Sequence, residues 1–345
     1  MKKRFFAGVL AGVMMLSLVA CGNNGNNSGT GTTTNEGKND TAKTTVLKLA
    51  FNQSENHPQY KALVEMSDAL KEATNGAYEI EISPNELLGS QKDAFELVQN
   101  GTIQMAMVAN SIVENVNPDF AVLGLPYAYD SVDHQKKVFT SGILDEIFAS
   151  TSANKFNVLA AFTAGSRCVY TDKPIAIPAD LAGYKIRVME APTSIAMLNA
   201  MGGVATPMAQ GEVYTAIQQG IIHGGENNEI TYADLKHYEV APFFSYTRHL
   251  MIPDLLVINS ATLSGMSAEH QQIFSDLSKE YTEREFELWN SQIESAIQIA
   301  KDGGATFTEV DITPFQEAVQ PVIADVVGKS DSAKSLYDAI RALAE

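Results

Sequence analysis

IQMAMVA, residues 103–109, is the stretch that decides the fold class of this 345-residue chain. Side chains alternate across a strand, so a strand with one wet face shows a polar residue at every second position. Here only Gln104 interrupts the apolar run. Both faces therefore need cover, as in a mostly parallel sheet flanked by helices. Upstream, YEIEISP (78–84) alternates with period two as a half-buried strand, and VLKLAFNQ (46–53) reads as another. Between them, Leu63, Met66 and Leu70 give helical spacing over 62–74, ending at Asn75-Gly76. A second helix runs through Phe95–Gln99 to Asn100-Gly101. The resulting β-α-β-α-β order predicts an α/β fold.

The later chain continues in the same idiom. VLAAF (158–162) reads as a strand and is followed by GSRCVYT (165–171); KIRV (185–188), IIHGG (221–225) and MIPDLLVINS (251–260) also read as strands, the last returning to the first sheet. Helices are expected over Ser194–Ala200 and within GEVYTAIQQG (211–220), and ENNEITYADL (226–235) reads as a loop entering another. From Ala268 to Asp302 there is neither glycine nor proline, and Ile273, Leu277, Tyr281, Leu288, Ile293 and Ile297 form an apolar stripe. An unbroken helix there would span about 50 Å, longer than one domain is wide. It would run across two domains unless it breaks without an obvious breaker. These elements suggest two α/β lobes with more than one chain crossing: 46–164 plus 253–285 as lobe I, and 165–252 plus 286–345 as lobe II.

The N-terminus speaks to location. Lys2, Lys3 and Arg4 precede an apolar Phe5–Val19, then Ala20 and Cys21, the pattern of a secretory signal (1–20) ending in a lipobox. On that reading Cys21 is lipidated and 22–45, rich in Gly, Asn and Thr, is a tether. The alternative is an ordinary signal peptide with a chance cysteine. No later stretch holds eighteen uninterrupted apolar residues, so no other span is expected. Lipidation of Cys21 would leave Cys168 alone, without a disulfide.

Formal charge is −17; removal of residues 1–20 takes away three positive charges and no negative ones, leaving −20. Such a surface disfavours nucleic acid and anionic lipid. An anionic ligand then needs a local cationic site, which draws attention to Arg187 within GYKIRVMEAP (183–192). In a doubly covered sheet its charge needs a partner. The common nucleophile-elbow, phosphate-loop, dinucleotide and zinc motifs are absent, and the six histidines (57, 134, 223, 237, 249, 270) form no i, i+4 pair. Neither enzyme activity, a cofactor nor a metal is expected.

PADLAGYKIRVMEAP (178–192) followed by GGVATPMAQGEVYTAIQQGIIHGGENN (202–228) resembles the DctP-type extracytoplasmic solute-binding proteins of TRAP transporters. PNELLGS, LGLPYAY, GSR and the long helix extend the likeness from about Val46 to the last 20 residues. The resemblance implies a two-lobed, periplasmic-binding-protein-like fold (type II-like) with hinged lobes and a long helix spanning both. It implies a protein that closes on an organic acid and delivers it to a membrane permease driven by an ion gradient. The sequence shows no sign of obligate oligomerisation, and a monomer is expected.

Carried over residue by residue, the family's carboxylate-binding arginine falls on Arg187, its supporting arginine on Arg167 and its ligand asparagine on Asn227. Asn52 and Asn110 match pocket positions of the N-terminal lobe, and His57 and Gln210 are further candidates. A guanidinium forks onto a carboxylate through two parallel hydrogen bonds, which a lysine cannot do. Each position also has a structural alternative: Arg187 or Arg167 as one half of an ion pair, Asn227 as a turn former, His57 as a solvated loop residue. Glu212 and Tyr214 are read as structural. Gln210 stands where many relatives carry an aromatic, and His223 replaces a common aspartate. The more polar pocket suits a hydroxylated acid, and the QGEVYTAIQQG…GENNE form resembles the branch associated with hexuronates. C4-dicarboxylates or other hydroxy and keto acids are the alternative ligands, and a sensor presenting its ligand to a receptor is the alternative role.

Overall fold

A computed structural model describes residues 43–344. The expected signal peptide, Cys21 and the tether up to residue 42 lie outside the described residues. Among those described, eleven strands make two sheets. The chain lays down β1 (Thr45–Ala50), β2 (Tyr78–Ser83), β3 (Met105–Ala109) and β4 (Phe156–Phe162). It crosses over to build β5 (Arg167–Thr171), β6 (Lys185–Val188), β7 (Val204–Pro207), β8 (Gly224–Asn227) and β9 (Phe243–Leu250). It then returns for β10 (Asp254–Asn259) and ends its strands at β11 (Thr306–Glu309). The first sheet runs β2-β1-β3-β10-β4 and the second β11-β9-β5-β8-β6-β7.

The apolar run behaves as its composition demands. β3 sits at the centre of the first sheet, parallel to β1 and antiparallel to β10, and all five of its residues are buried. Gln104 is no exception to the logic, because its side-chain oxygen accepts the Lys48 backbone N–H at 3.0 Å just before the strand begins. β2 is the edge strand, which is why its pattern alternates and only Ile80 is fully inside.

One strand is displaced from its expected place. The apolar pair in IIHGG does not pair in the sheet: the Ile221 and Ile222 backbone N–H groups fold back onto the Ala216 carbonyl and close the helix Val213–Gln218. β8 is instead GGEN, paired antiparallel with β5 and parallel with β6. Glycine is needed here by close approach: a Cβ on Gly224 would lie 2.0 Å from the Tyr170 carbonyl oxygen, and one on Gly225 2.5 Å from the Tyr170 hydroxyl. The two glycines are thus what lets Glu226 and Asn227 enter the sheet beside Arg167.

The long helix is unbroken from Ala268 to Asp302. Its most buried face is rotated from the expected stripe: Phe274, Ser278, Thr282, Glu285, Phe286, Trp289, Ala296 and Ala300 are inside, while Ile273, Leu277, Tyr281, Leu288 and Ile293 pack at the margins. The helix crosses the chain's own passage between the sheets, and the contact is polar. Glu285 Oε2 accepts the Thr163 backbone N–H at 3.0 Å. One apolar core lies between the first sheet, the helix Pro58–Ala73 and Phe274. A second joins Tyr170, Tyr232 and Phe244 to Trp289, Ala296 and Ala300, so the helix contributes to the cores of both sheets. A third core, including Val108, Phe120, Ile186 and Phe315, continues from one sheet to the other.

The two crossing segments are tied together. Gln135 Nε2 donates to the Met251 carbonyl at 2.6 Å, and Gln135 Oε1 accepts the Thr163 hydroxyl at 2.5 Å. Gln59 Nε2 reaches both the Thr163 carbonyl and the Asp254 carboxylate. Other bonds run directly from one sheet's segments to the other's. Ser54 Oγ donates to Asp234, and Asn115 Nδ2 to the Glu190 carbonyl. The helix Pro192–Ala200 begins after Ala191, which has no side chain able to cap it. Its orphan N–H groups are served instead by Glu114, whose Oε1 accepts both the Thr193 backbone N–H at 3.0 Å and the Thr193 hydroxyl.

Candidate ligand-binding site

A cavity opens between the sheets where the chain crosses, at the carboxyl ends of β1, β3 and β6, the usual ligand position in open α/β sheets. Its empty volume, mouth and open solvent included, is about 570 Å³. Gln53, His57, Glu86 and Asp254 line it from the first sheet's side, and Arg167, Arg187, Gln210, Asn227 and Thr231 from the second's.

The two arginines occupy different electrostatic positions. Arg167 is engaged through four of its five N–H groups: Nε donates to Glu226 Oε2 at 2.5 Å, Nη2 to Glu226 Oε1 at 2.9 Å and to the Glu226 carbonyl at 2.6 Å, and Nη1 to Asn227 Oδ1 at 2.9 Å. Burial alone would raise the pKa of Glu226, but the Arg167 charge and hydrogen bonds, together with His249, hold it down at about 2. Arg187 is 5% exposed, and its Nε donates to the Met208 carbonyl at 3.0 Å. No ion pair engages it among the described residues. Burial pulls its pKa down, against the more distant charge of Glu226. Its two terminal nitrogens, with four N–H donors, remain available.

Around Arg187 lie buried polar atoms without partners. Asn227 Oδ1 is fully used by Arg167, the Asn228 N–H and the Asn228 amide, which leaves Asn227 Nδ2 free. Gln210 Nε2 is a second free donor; Gln53 Oε1 and Glu86 Oε1 are free acceptors. His57, 1% exposed, has both ring nitrogens unpartnered and packs against Phe51 and Trp289. Buried polar atoms are nearly always satisfied, so this concentration marks the place where a polar guest completes the hydrogen bonding.

Burial lowers the His57 pKa to about 3, with Lys61 adding to the effect, so the imidazole is neutral and offers one donor and one acceptor. The unfolded imidazole titrates near 6.5. Between those values the unfolded chain holds the extra proton, so this residue's contribution to stability falls as pH drops from 6.5 toward 3. Melting temperature is therefore expected to decline between pH 6.5 and 4 less steeply in His57→Phe than in the parent. Parallel slopes in calorimetry would assign the acid sensitivity elsewhere.

Five of the seven ligand residues expected from the sequence, Arg187, Arg167, Asn227, Gln210 and His57, are brought together at this cavity. Two are not. Asn52 lines an adjoining crevice that shares Glu86 and Gln91 with the cavity. Asn110 is fully buried and donates its amide to the Phe120 carbonyl at 2.8 Å. Glu86, Gln53, Asp254 and Thr231 line the cavity without having been singled out. Asp254 carried a readable signal, an acid inside the apolar run MIPDLLVINS; burial raises its pKa to about 6, against the opposing bond from Gln59. Glu212 is exposed, and the Tyr214 hydroxyl donates to Glu239 at 2.8 Å.

Residues 49–330 match the sequence family described as bacterial extracellular solute-binding protein, family 7. The chain belongs to that family. A TRAP periplasmic solute-binding protein from Anaerococcus prevotii, solved with bound α/β-D-glucuronate, superposes with a TM-score of 0.84 at 37% identity, covering 87% of this chain and 98% of that one. The counterpart from Xanthobacter autotrophicus, with bound β-D-galacturonate, gives a TM-score of 0.83 at 32% identity, covering 86% and 99%. Among curated relatives, the 2,3-diketo-L-gulonate-binding periplasmic protein of Escherichia coli K12 is 29% identical over 285 residues, 82% of this chain and 87% of its own. The two sheets and their double crossing are accordingly the two-lobed architecture of the family 7 solute-binding proteins, and the cavity lies in the cleft between lobes.

Proposed function

We propose that this protein captures a hexuronate, a sugar acid of the D-glucuronate or D-galacturonate type, and hands it to a TRAP permease in the membrane. One observation carries the reading: a buried, unpaired guanidinium stands among free donors and free acceptors in the same cavity. The guanidinium suits a carboxylate, and the mixed remainder suits hydroxyls, each of which donates and accepts. A bare C4-dicarboxylate brings only acceptors and would leave Gln53 Oε1 and Glu86 Oε1 unsatisfied. The hexuronates bound in two similar structures support this choice.

In this reading Arg187 forks the carboxylate, Arg167 holds Asn227 in place, and Asn227, Gln210, His57, Gln53, Glu86 and Asp254 read the sugar hydroxyls. The protein acts as a monomer without turnover, and the lobes follow the boundaries expected from the sequence. Cys21 anchors it by lipid at the outer face of the cell membrane. Thermal-shift titration with D-glucuronate, D-galacturonate and succinate tests the ligand class. A ligand at 100 times its Kd adds about 2.7 kcal/mol, so the hexuronates should raise the melting temperature visibly and succinate should not. Stabilisation by succinate alone would overturn the proposal.

A further inference from the structure

Glu86 is the residue with the most unusual circumstances in the cavity. It and Asn85 both adopt left-handed backbone conformations, with φ of 55° and 57°. Asparagine tolerates that region, whereas glutamate gains nothing locally from it. The loop is pinned there from outside: the Asn85 N–H donates to the Gln53 carbonyl at 2.9 Å and the Glu86 N–H to the Phe51 carbonyl at 3.2 Å. An observed strained residue in a cleft points to function rather than to fold.

The carboxylate's two oxygens do different things. Oε2 lies across the cleft against Gly211, where a Cβ would sit 2.5 Å from it, and the nearby Gly211 backbone N–H works against the burial that raises the carboxyl pKa. Oε1 is buried without a partner. The first oxygen thus abuts the facing lobe, and the second stands without a donor inside the cavity.

The surrounding charges define what that donor can be. Arg167 is neutralised by Glu226, so Arg187 is the one cavity arginine without a carboxylate partner among the described residues. Lys92, the other cation lining the cavity, is solvent-exposed. Glu86, Glu190 and Asp254 make the rest of the charged lining. A ligand with one carboxylate finds its cation at Arg187; a second carboxylate would meet acidic oxygens.

Building on the hexuronate reading, we infer that Glu86 is a specificity-determining residue: its Oε1 accepts a hydroxyl of the sugar, and its carboxylate excludes acids that carry a second carboxylate. The discriminating pair is D-glucuronate and D-glucarate, the aldaric acid in which the aldehyde carbon is also a carboxylate. Calorimetric titration of the full chain should give a Kd for D-glucarate about a hundredfold weaker than for D-glucuronate, as expected for like charges brought together in a cleft. Glu86→Gln keeps an oxygen for Gly211 and presents an amide donor where the free acceptor stood. It should weaken D-glucuronate and narrow the glucuronate-to-glucarate ratio by about tenfold, with the unliganded melting temperature unchanged.

An unchanged ratio in Glu86→Gln overturns the inference while leaving the hexuronate reading intact. Equal affinity of the parent protein for the two acids overturns it without any variant. Failure of the parent to bind either D-glucuronate or D-galacturonate removes both the reading and the inference that depends on it.

Discussion

Replacing Arg187 with methionine should abolish high-affinity capture of the sugar acid while leaving the empty protein as stable as before, or more so. The two halves of this expectation come from one fact, the absence among the described residues of a carboxylate partner for a guanidinium that is 5% exposed. Without ligand, Arg187 bears the desolvation of a buried charge and recovers little beyond the Met208 hydrogen bond. Methionine fills similar space with no charge to desolvate. With ligand, the variant leaves the carboxylate buried without its fork, a loss of roughly 2–5 kcal/mol, or on the order of a hundredfold or more in Kd. Calorimetry on both forms checks both halves. A destabilised empty protein with intact affinity would make Arg187 a structural residue and sink its ligand role. Arg187→Lys should fall between, because the charge stays and the bidentate geometry goes.

Glu226→Ala should have the opposite signature. Glu226 is fully buried, and it takes three Arg167 hydrogen bonds through its two carboxylate oxygens and its carbonyl. Removing the carboxylate leaves a buried guanidinium without compensation, a loss of roughly 3–5 kcal/mol, or on the order of 10 °C in melting temperature. Arg167 also holds Asn227 Oδ1, so the released guanidinium would take the ligand-facing amide out of position. Binding should therefore weaken along with stability. The double variant Arg167→Met/Glu226→Met separates the two effects, since replacing both members of a buried pair is often close to neutral for stability. Recovery of the melting temperature without recovery of affinity is the expected result. A Glu226→Ala protein that melts with the parent would refute the buried-pair account.

How legible this was depended on how local the cause is. The covered sheet could be read from IQMAMVA because burial on both faces leaves its mark residue by residue. The long helix was readable because the absence of glycine and proline is a local property. GGEN as a strand was not, since its reason is the distant Tyr170, whose carbonyl and ring occupy the space that side chains at 224 and 225 would need. The rotated face of the long helix was hidden for the same reason. Glu285 is buried because it meets the Thr163 backbone, 122 residues away in the chain. In the site, five of the residues singled out from the sequence, Arg187 among them, converge on one cavity, but which arginine is neutralised depends on the neighbours that the sheet register assigns. Glu86 left little sign in the sequence because its assignment comes from backbone conformation and from Gly211 across the cleft.

The helix that starts at Pro192 has its cap in the opposite lobe, on Glu114. Such a helix end is complete only while the lobes are together, so any parted form must leave the Thr193 N–H to water and exchange a buried hydrogen-bonded carboxylate for a solvated one. Glu114 lies outside the residues that line the cavity. If the lobes open and close on solute, its influence falls on how often the closed form is populated, and that fraction multiplies the intrinsic affinity for every guest alike. Selectivity and avidity for solute are then set by separate parts of the molecule. On the proposed reading, residues such as Arg187 and Glu86 decide which acid is held, and a borrowed helix cap sets a common scale for how tightly any of them is held.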